Sequence, residues 1–208
     1  MLAAILMECP TEELVVADDV TLRDMTPGDV KVKIAHSGVC HSDLSAMNGT
    51  IPQAPPAVLG HEGAGVVTDV GDGVTHVVPG DHVIIAFSPP CGTCAFCTGR
   101  HQPNLCINGL IAMGSNPQFR RGDTVVGAMT GCGTFAEETI VPGMAAIKID
   151  KDVPLDVAAL VGCGVTTGVG AALNTAKVTP GSSVLVIGAG GVGVAAIQGA
   201  RIAGASAI

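Results

Sequence analysis

Four cysteines within sixteen positions constrain this chain more than any other feature of its sequence. They form a C-x2-C-x2-C-x8-C cluster, in which two tight turns can bring three thiolates to one point and a short lobe returns the fourth: Cys91, Cys94, Cys97 and Cys106. Four sulfurs saturate tetrahedral zinc, so the spacing predicts a structural zinc site with no open position. An iron–sulfur cluster has its fourth Cys three residues after the third and followed by Pro, which this chain does not match. Disulfides and inert thiols are the remaining alternatives.

Glycine and proline separate many short β-like runs in the first part of the chain. The 208 residues include 29 Gly and 13 Pro, with 48% hydrophobic and 2% aromatic residues, a composition that favours short strands and tight turns over a helical bundle. Runs such as Val30 to Ala35, Gly63 to Val70 and His82 to Phe87 lie between PGD and GDG turns. We therefore predict a mixed fold whose first domain, residues 1–160, is a mostly antiparallel β-barrel.

The sequence pattern changes after Pro154. The segment LDVAALVGCGVTTGVGAALNTA predicts a buried connecting helix, since nearly every residue in it is small or apolar. An apolar strand over Ser183 to Ile187, a glycine loop, a helix over Val192 to Ala203 and a second strand from Ser206 are expected to follow. Residues 161–208 therefore correspond to the connecting helix and the opening of an α/β nucleotide-binding domain of Rossmann type.

Charge and cysteine usage restrict the partners and the compartment. A formal net charge of −8, with no Trp or Tyr, gives no basic surface for phosphates and no large rings for base stacking, so nucleic-acid binding is not expected. Val157 to Leu173 and Ser183 to Ala200 carry no charge, but both contain many small residues, and we predict no membrane span. The eight Cys are too clustered for a dispersed disulfide framework, which favours reduced thiols in a cytoplasm.

A glycine loop and three isolated metal-binding side chains complete the chemistry. The sequence GAGGVG, Gly188 to Gly193, fits G-x-G-x-x-G between a strand and a helix, the arrangement that aims helix N-terminal amides at a pyrophosphate. Cys40, His61 and Cys163 lie in Gly-rich segments far apart in sequence. Their spacing alone proves nothing, although a catalytic zinc needs three protein ligands and one free position.

The segment GHEGAGVVTDVGDGV, from Gly60 to Val74, is similar at every specified position to the zinc-alcohol-dehydrogenase signature G-H-E-x-x-G-x5-G-x2-V. The segments GVCHSD, the four-Cys lobe, GCGVTTG and GAGGVG also occur in the order found in zinc-dependent medium-chain alcohol dehydrogenases. The chain therefore resembles the N-terminal portion of that family over nearly its whole length. The resemblance implies a GroES-like catalytic domain followed by the start of a Rossmann domain.

The resemblance also implies roles for individual residues. Cys40, His61 and Cys163 would bind a catalytic zinc, while Glu62 would lie behind the metal, Asp43 would orient His61, and Ser42 would accept the alcohol proton. The cofactor, NAD or NADP, would be bound by the following residues: His41, Thr167, Gly188, Gly190, Gly191, Val192 and Gly193. Phe87 and Met129 would line the substrate pocket, with ordinary core packing as the alternative for both and for Thr167.

Three departures separate this chain from the family pattern. Many members have a His five residues after the first zinc Cys, which ends a proton relay, whereas this chain has Ser45. The last two cysteines of the lobe are separated by eight residues where the family commonly has seven. Full members continue for over a hundred residues, and the acid that reads the ribose would lie roughly 20 residues beyond the glycines, past Ile208.

We therefore expect a zinc-dependent oxidoreductase that transfers hydride between a small alcohol or aldehyde and a nicotinamide cofactor, with one catalytic and one structural zinc. A thiol-adduct-dependent formaldehyde dehydrogenase is an alternative within this class, because GCGVTTGVGAA also resembles that branch. A non-catalytic, zinc-stabilised binding module is the alternative outside it, and residues 1–208 alone are expected to be inactive. When full length, the protein is expected to form a homodimer or homotetramer.

Overall fold

The computed structural model describes residues 1–109 and 117–208. Two mostly antiparallel sheets form the first part of the chain, and they confirm the predicted antiparallel β architecture. Their strands are β1 Ala3–Leu6, β2 Val15–Ala17, β3 Val20–Leu22, β4 Asp29–Gly38, β5 Ala57–Val58, β6 Glu62–Val70, β7 His82–Ile85, β8 Phe119–Arg121, β9 Thr124–Ala128, β10 Glu138–Pro142 and β11 Ala146–Ile149. The strand orders are β2-β1-β5-β9-β8-β3 and β10-β4-β6-β7-β11, and among these described strands only the short β5–β9 pair is parallel.

Helical segments connect and follow the sheets. Short 3-10 turns cover Pro103–Leu105, Met129–Gly131 and Gly143–Ala145. The longer helical elements are α1 His41–Met47, α2 Ala95–Thr98, α3 Leu155–Thr175 and α4 Gly191–Ile202. Within α3, two π-helical segments, Val161–Val165 and Ala171–Thr175, alternate with α-helical turns.

Alternating burial along β4 explains why this strand is central to the second sheet. Val30 and Val32 are fully buried, while Lys31 and Lys33 point to the other face. β4 pairs along most of its length with β6, which lies beside it in the sheet. The apolar side chains of β4, β6 and β7 form one core, and Phe119 lies at the centre of a second core under the other sheet. These two cores fix the ends of the strands from which the candidate site is built.

The connecting helix α3 is where the sequence predicts it, but it is not buried as expected. Only four of its residues are buried: Ala158, Ala159, Gly168 and Ala172. A segment in which almost every residue is small or apolar has little amphipathic contrast, so the pattern does not identify the buried face. The first turns of α3 pack on Ala64 of β6 through Ala158 and Ala159, and the later turns pack on α4.

The packing of α3 on α4 depends on small residues. A Cβ added at Gly168 would lie 2.5 Å from Ala195 Cβ and would also overlap the carbonyl of Val192. The two helices therefore approach each other more closely than any larger residue at position 168 allows. By length and composition α3 would also suffice to cross a membrane, with a mean hydropathy of 1.5. Core helices pass the same test, and the absence of a membrane span stays a prediction.

The prediction of a strand over Ser183 to Ile187 is wrong in length. This segment forms a single parallel bridge, Ser183 with Ala207, supported by a 2.9 Å hydrogen bond from Val184 N–H to Ala207 O. A strand is assigned from a ladder of pairs, and this segment forms one pair. The parallel bridge and the intervening α4 nevertheless follow the element order of a βαβ unit.

Asp29 provides a test of what stabilises the first domain. Its carboxylate accepts two hydrogen bonds from Arg23, at 2.6 and 3.0 Å, and two from Thr26. Burial opposes ionisation, but the bonds from Arg23 and Thr26 outweigh it and lower the pKa of Asp29. Because the pKa is lowered in the folded state, this stabilisation is present above pH 3.8 and is lost as the pH falls through the lowered value.

We expect Asp29→Asn to reduce the free energy of unfolding at pH 7 by about 1–3 kcal/mol, because Arg23 loses a charged partner. The difference from the unsubstituted protein should shrink as the pH falls below 4, as measured by urea unfolding at several pH values. Asp19→Asn is the matched control, since the Asp19–Arg121 pair is exposed and exposed pairs contribute about 0–1 kcal/mol. Equal effects of the two substitutions, or an Asp29→Asn effect independent of pH, would contradict the assignment.

Candidate metal centres and nucleotide cleft

Three side chains from distant parts of the sequence converge at the first candidate site. The Sγ atoms of Cys40 and Cys163 and a ring nitrogen of His61 all lie within 4.8 Å of one another. Cys40 immediately precedes α1, His61 immediately precedes β6, and Cys163 lies in the first π-helical segment of α3. Two sulfurs and an imidazole at this separation form a donor set suited to zinc, with room for a fourth ligand.

Asp43 connects two of these three positions. One carboxylate oxygen accepts hydrogen bonds from Gly60 N–H at 3.0 Å and lies 3.3 Å from His61 Nδ1, and the other accepts from Cys40 N–H at 2.8 Å. Asp43 is 2% exposed. A buried carboxylate with this many donors holds the backbone on either side of the site, and it directs His61 Nε2 toward the two sulfurs.

The backbone before His61 requires glycine. Gly60 has a φ of +88°, and a Cβ at this position would lie 2.6 Å from the ring of Phe135. This left-handed residue places the imidazole at the start of β6 and its amide against Asp43. The Phe87 ring meets the His61 ring edge-on, with 5.9 Å between centroids. The ligand is thus held from behind by a carboxylate and from the side by an aromatic ring.

Electrostatics at this centre raise the pKa of His61 and lower the pKa of Cys40. Burial opposes protonation of His61, but its hydrogen bonds to Asp43 and Cys163 and their charges outweigh it and raise its pKa to about 10. Burial likewise opposes ionisation of Cys40, yet hydrogen bonds from Ser42 and the proximity of His61 lower the pKa of this thiol. A metal ion would therefore displace a proton from His61 on binding.

Ser42 and Glu62 lie next to the three ligands. Ser42 Oγ is 3.7 Å from Cys40 Sγ. Glu62 is 4% exposed, and its Oε1 accepts a 2.9 Å hydrogen bond from Gly164 N–H, which ties the start of β6 to the π-helical segment of α3 that carries Cys163. This bond joins the remaining ligand to the other two, and the sequence gives no signal for it because the residues are about a hundred positions apart.

The four cysteines of the lobe also converge, with all Sγ atoms within 4.8 Å of one another. The distances from Cys94 Sγ to Cys97 Sγ and Cys106 Sγ are 3.5 and 3.9 Å. Tetrahedral zinc with Zn–S bonds of about 2.3 Å separates its sulfurs by about 3.8 Å, so the described geometry matches the size of such an ion. None of the eight cysteines forms a disulfide.

The crowded thiols of the lobe have opposite pKa shifts. Hydrogen bonds from Thr93 and from the Cys94 amide lower the pKa of Cys91 to about 5, which makes it a thiolate at neutral pH. Burial and the neighbouring Cys94 raise the pKa of Cys97 to about 11. Four adjacent sulfurs cannot all ionise without a cation, and a divalent ion removes this repulsion.

A cleft of about 520 Å³ lies beside the Cys40–His61–Cys163 centre. One wall is formed by residues around the centre and α3, the other by the glycine loop and α4, with this lining: Val39, Cys40, His41, Glu62, Leu160, Gly164, Val165, Ala189, Gly190, Gly191, Val192, Val194, Ala195 and Gln198. His41 therefore faces the same cleft as the GAGGVG loop. The family resemblance implies that both His41 and this loop contact the cofactor.

The glycine loop has the shape that a diphosphate needs. A Cβ at Gly193 would overlap the carbonyl of Gly188, so the tight turn into α4 requires glycine there, and Gly188 has a φ of +98°. Added Cβ atoms at Gly190 and Gly191 would meet no atom within 4 Å. The loop thus leaves open space in front of the first turn of α4, where backbone N–H groups are unpaired.

Of three further residues with predicted roles, Thr167 and Met129 lie away from this arrangement, and Phe87 lies beside the metal centre. Thr167 is exposed and does not line the cleft. Met129 is 3% exposed and packs in the core with Leu6, Ala46 and Leu59. Phe87 contacts both His61 and the core of the second sheet. Their roles at substrate or nicotinamide stay predictions, and for Met129 the described contacts are those of a core residue.

Comparison with known proteins agrees with this geometry. Residues 26–151 match the family model described as the alcohol dehydrogenase GroES-like domain. The chain is 47% identical over 189 residues to an S-(hydroxymethyl)glutathione dehydrogenase from Photobacterium damsela subsp. piscicida, covering 87% of this chain and 51% of the relative. A protein with the same description from Escherichia coli O1:K1 / APEC is 46% identical with the same coverage. The chain thus spans about half the length of these curated relatives.

Solved structures give the same result. An alcohol dehydrogenase zinc-binding domain protein from Burkholderia ambifaria superposes with a TM-score of 0.90 at 34% identity, over 99% of this chain and 56% of that one. Benzyl alcohol dehydrogenase from Acinetobacter calcoaceticus superposes with a TM-score of 0.88 at 32% identity and the same coverage. The predicted combination of a GroES-like domain with the start of a nucleotide domain agrees with these neighbours.

If the two centres are independent, substitution of one ligand in either centre should remove only the zinc ion of that centre. We expect about two zinc ions per chain, because the four-Cys set and the Cys–His–Cys set share no residue and each has enough ligands to hold one ion. Cys94→Ser should lose the lobe ion and keep the ion at Cys40, His61 and Cys163. Cys163→Ser should keep only the lobe ion. Elemental analysis after gel filtration measures both. Cys132→Ser is the matched control, because this buried thiol belongs to neither group. Loss of both ions from either single variant would contradict two independent sites.

Asp43 provides a sharper test of the first centre. Asp43→Asn should weaken zinc at Cys40, His61 and Cys163 by roughly 10- to 100-fold, because the carboxylate that orients the imidazole is lost. Competition with a chromophoric chelator measures this affinity, and the lobe zinc should be unaffected. Asp72→Asn, at an exposed turn residue, is the control. Unchanged affinity in Asp43→Asn would show that the carboxylate does not support the ligand.

Proposed function

Because the chain belongs to the alcohol dehydrogenase GroES-like domain family, whose model matches more than half of its residues, we propose that the protein is a zinc-dependent oxidoreductase. It interconverts a small primary or secondary alcohol and the corresponding aldehyde or ketone, with a nicotinamide cofactor as hydride acceptor or donor. One observation carries this proposal: Cys40, His61 and Cys163 converge at the edge of the cleft that the glycine loop lines. A centre that bound metal for structure alone would not need such a cleft beside it.

The donor set determines what chemistry this centre supports. Cys40, His61 and Cys163 would hold a zinc ion and leave it one position for substrate, and the ion would supply Lewis-acid chemistry that lowers the pKa of an alcohol hydroxyl group. The hydroxyl of Ser42, close to Cys40, is placed to accept the proton released from the alcohol. Asp43 keeps the His61 proton on Nδ1, which leaves Nε2 free as a ligand.

Cofactor binding is assigned to the opposite wall of the cleft. The amides at the start of α4 and the open space at Gly190 and Gly191 suit a diphosphate, and His41 faces them. We propose NAD as the cofactor, with NADP as the alternative, and place Thr167 beside the nicotinamide as the family resemblance implies. The described chain supplies only one strand and helix of the nucleotide domain. We therefore propose that turnover needs the remaining part that the relatives have, and that residues 1–208 alone are inactive.

A second candidate function follows from the relatives, two of which are described as S-(hydroxymethyl)glutathione dehydrogenases. A glutathione adduct carries two carboxylates, which require cationic side chains near the site. The chain has ten Lys and Arg residues, and no Lys or Arg is among the residues that line the described cleft. Four of the ten pair with acids outside this cleft: Arg23 with Asp29, Lys31 with Glu138, Arg121 with Asp19 and Lys148 with Asp81. Because this cleft is assigned to the cofactor, its lining does not discriminate between an uncharged alcohol and the adduct, and both substrates are tested below.

The compartment and assembly follow from the same proposal. Eight free cysteines, seven of them in the two candidate metal groups, require a reducing environment, and we propose a cytoplasmic location. We also propose a homodimer or homotetramer for the full-length protein and a small molecule as its substrate. A non-catalytic, zinc-stabilised module remains the contrasting hypothesis, and it predicts zinc binding without turnover.

The proton acceptor is the most direct catalytic test. In the intact, zinc-loaded protein, Ser42→Ala should reduce kcat for alcohol oxidation by about 10²- to 10⁴-fold, because the hydroxyl that removes the proton is missing. Ser42→Thr should retain most of the activity, and zinc content should stay unchanged in both. Ser88→Ala, at an exposed serine, controls for loss of a hydroxyl as such. Normal turnover in Ser42→Ala would remove Ser42 from the mechanism.

Substrate choice is tested with formaldehyde in the presence and absence of glutathione. If the protein is a general alcohol dehydrogenase, simple alcohols should be oxidised, and added glutathione should not increase NADH formation from formaldehyde. Strict dependence on glutathione, with no oxidation of simple alcohols, would establish the second candidate function instead. Zinc binding without turnover on either substrate would support the non-catalytic module.

A further inference from the structure

Ser45 occupies the position at which many relatives have a histidine, and it has an unexpected partner. Its Oγ lies 3.3 Å from Nδ1 of His41, one helical turn earlier on α1. Residues i and i+4 of a helix lie on the same face, so this contact follows directly from their spacing. Ser45 is 8% exposed, whereas His41 is exposed and lines the nucleotide cleft.

We propose that Ser45 is a positioning residue that presents the Nε2–H of His41 to the diphosphate of the bound nucleotide. This inference rests on the proposed function, because it assumes that the cleft holds a nucleotide. His41 is the only basic side chain among the residues that line the cleft. Its orientation therefore decides whether a side-chain donor faces the glycine loop across the cleft.

The burial of Ser45 determines the direction of the hydrogen bond. Among the residues that the structure describes, His41 Nδ1 is the only hydrogen-bond partner of the Ser45 hydroxyl. Leaving a buried hydroxyl hydrogen unpaired is unfavourable, so the neutral arrangement has Ser45 donating to Nδ1. A neutral ring that accepts at Nδ1 carries its hydrogen on Nε2.

The same conclusion holds when the imidazole is charged. Both ring nitrogens then carry hydrogen, Nδ1 donates to Ser45 Oγ, and Nε2–H is again directed away from α1. In either state the contact with Ser45 fixes the ring plane and leaves Nε2 as a donor. The inference therefore depends on geometry and hydrogen-bond direction, and it requires no particular charge on His41.

The contact also accounts for Ser45 itself. The family resemblance implies a proton relay that ends in a histidine at this position, and a serine cannot replace an imidazole as a base. A buried hydroxyl can, however, hold a neighbouring ring in one orientation. Ser45 would thus act through His41 on cofactor binding, and it would have no direct contact with the reacting atoms.

The first test measures the ring itself in the zinc-loaded protein. Nitrogen-15 NMR of the histidine side chains, with His41 assigned from the His41→Gln variant, distinguishes the two neutral tautomers. At a pH where His41 is neutral, we expect hydrogen on Nε2 in the unsubstituted protein and a mixture of tautomers in Ser45→Ala. Hydrogen predominantly on Nδ1 in the unsubstituted protein would overturn the inference, and this measurement needs no folded variant of Ser45.

The second test measures ligand binding by calorimetry, with ADP-ribose as the probe of the diphosphate contact and adenosine as the matched ligand without phosphate. Ser45→Ala should raise the Kd for ADP-ribose about threefold to tenfold, the range expected for one hydrogen bond, and leave the Kd for adenosine unchanged. Ser45→Thr should restore binding. The double variant His41→Gln/Ser45→Ala should bind ADP-ribose no more weakly than His41→Gln alone, because Ser45 acts only through the ring.

The outcomes separate this inference from the proposed function. If the unsubstituted protein binds ADP-ribose and Ser45→Ala binds it equally well, or if the two substitutions weaken binding additively, the positioning role is wrong and the proposed function stands. If the unsubstituted protein binds neither ADP-ribose nor NAD, the nucleotide cleft is wrong and both fail together.

Discussion

The buried carboxylate of Asp43 is the interaction on which the arrangement of the candidate catalytic centre depends. It accepts from the backbone N–H groups of Cys40 and Gly60 and contacts the ring of His61, and these residues come from two loops about twenty positions apart. An unpaired carboxylate at 2% exposure would be strongly unfavourable, so the loops are held together by the need to satisfy this charge. The convergence of two ligands is thus a consequence of one local hydrogen-bond network.

The third ligand depends on a different contact. Cys163 lies on a π-helical segment of α3, and the adjacent Gly164 N–H donates to Glu62, the residue directly after His61. Further along the same helix, Gly168 allows close packing against α4, which begins at the glycine loop. A single helix therefore connects the metal centre to the nucleotide side of the cleft. The position of Cys163 relative to the glycine loop is set by this helix and its small residues.

The parts of the molecule that the sequence predicted well are those determined by local spacing. The lobe of Cys91 to Cys106 follows from turn lengths alone, and the loop of Gly188 to Gly193 from a strand, a tight turn and a helix in succession. The set Cys40, His61 and Cys163 could be named only through the family resemblance, because the contacts that unite it span up to about a hundred residues. The Glu62–Gly164 bond has no local signal at all.

Other expectations failed for physical reasons that the sequence pattern does not contain. The helix α3 is less buried than predicted because a uniformly small and apolar segment does not indicate which face packs. The strand at Ser183 to Ile187 is reduced to one bridge because pairing depends on neighbouring strands. Met129 packs in a core with Leu6 and Leu59, and its role at the substrate stays a prediction. The family pattern gives no signal for the Ser45–His41 contact, because it implies a relay histidine at position 45 and no partner one turn earlier on the helix.

The most direct measurement of the central claim is anomalous diffraction at the zinc absorption edge from crystals of the intact protein. The account predicts a peak bonded to Cys40 Sγ, His61 Nε2 and Cys163 Sγ, at about 2.3, 2.1 and 2.3 Å, with a fourth position open toward the cleft. A second peak is expected among the four sulfurs of the lobe. A peak in the lobe alone, with Cys40, His61 and Cys163 binding no ion in zinc-saturated crystals, would contradict it.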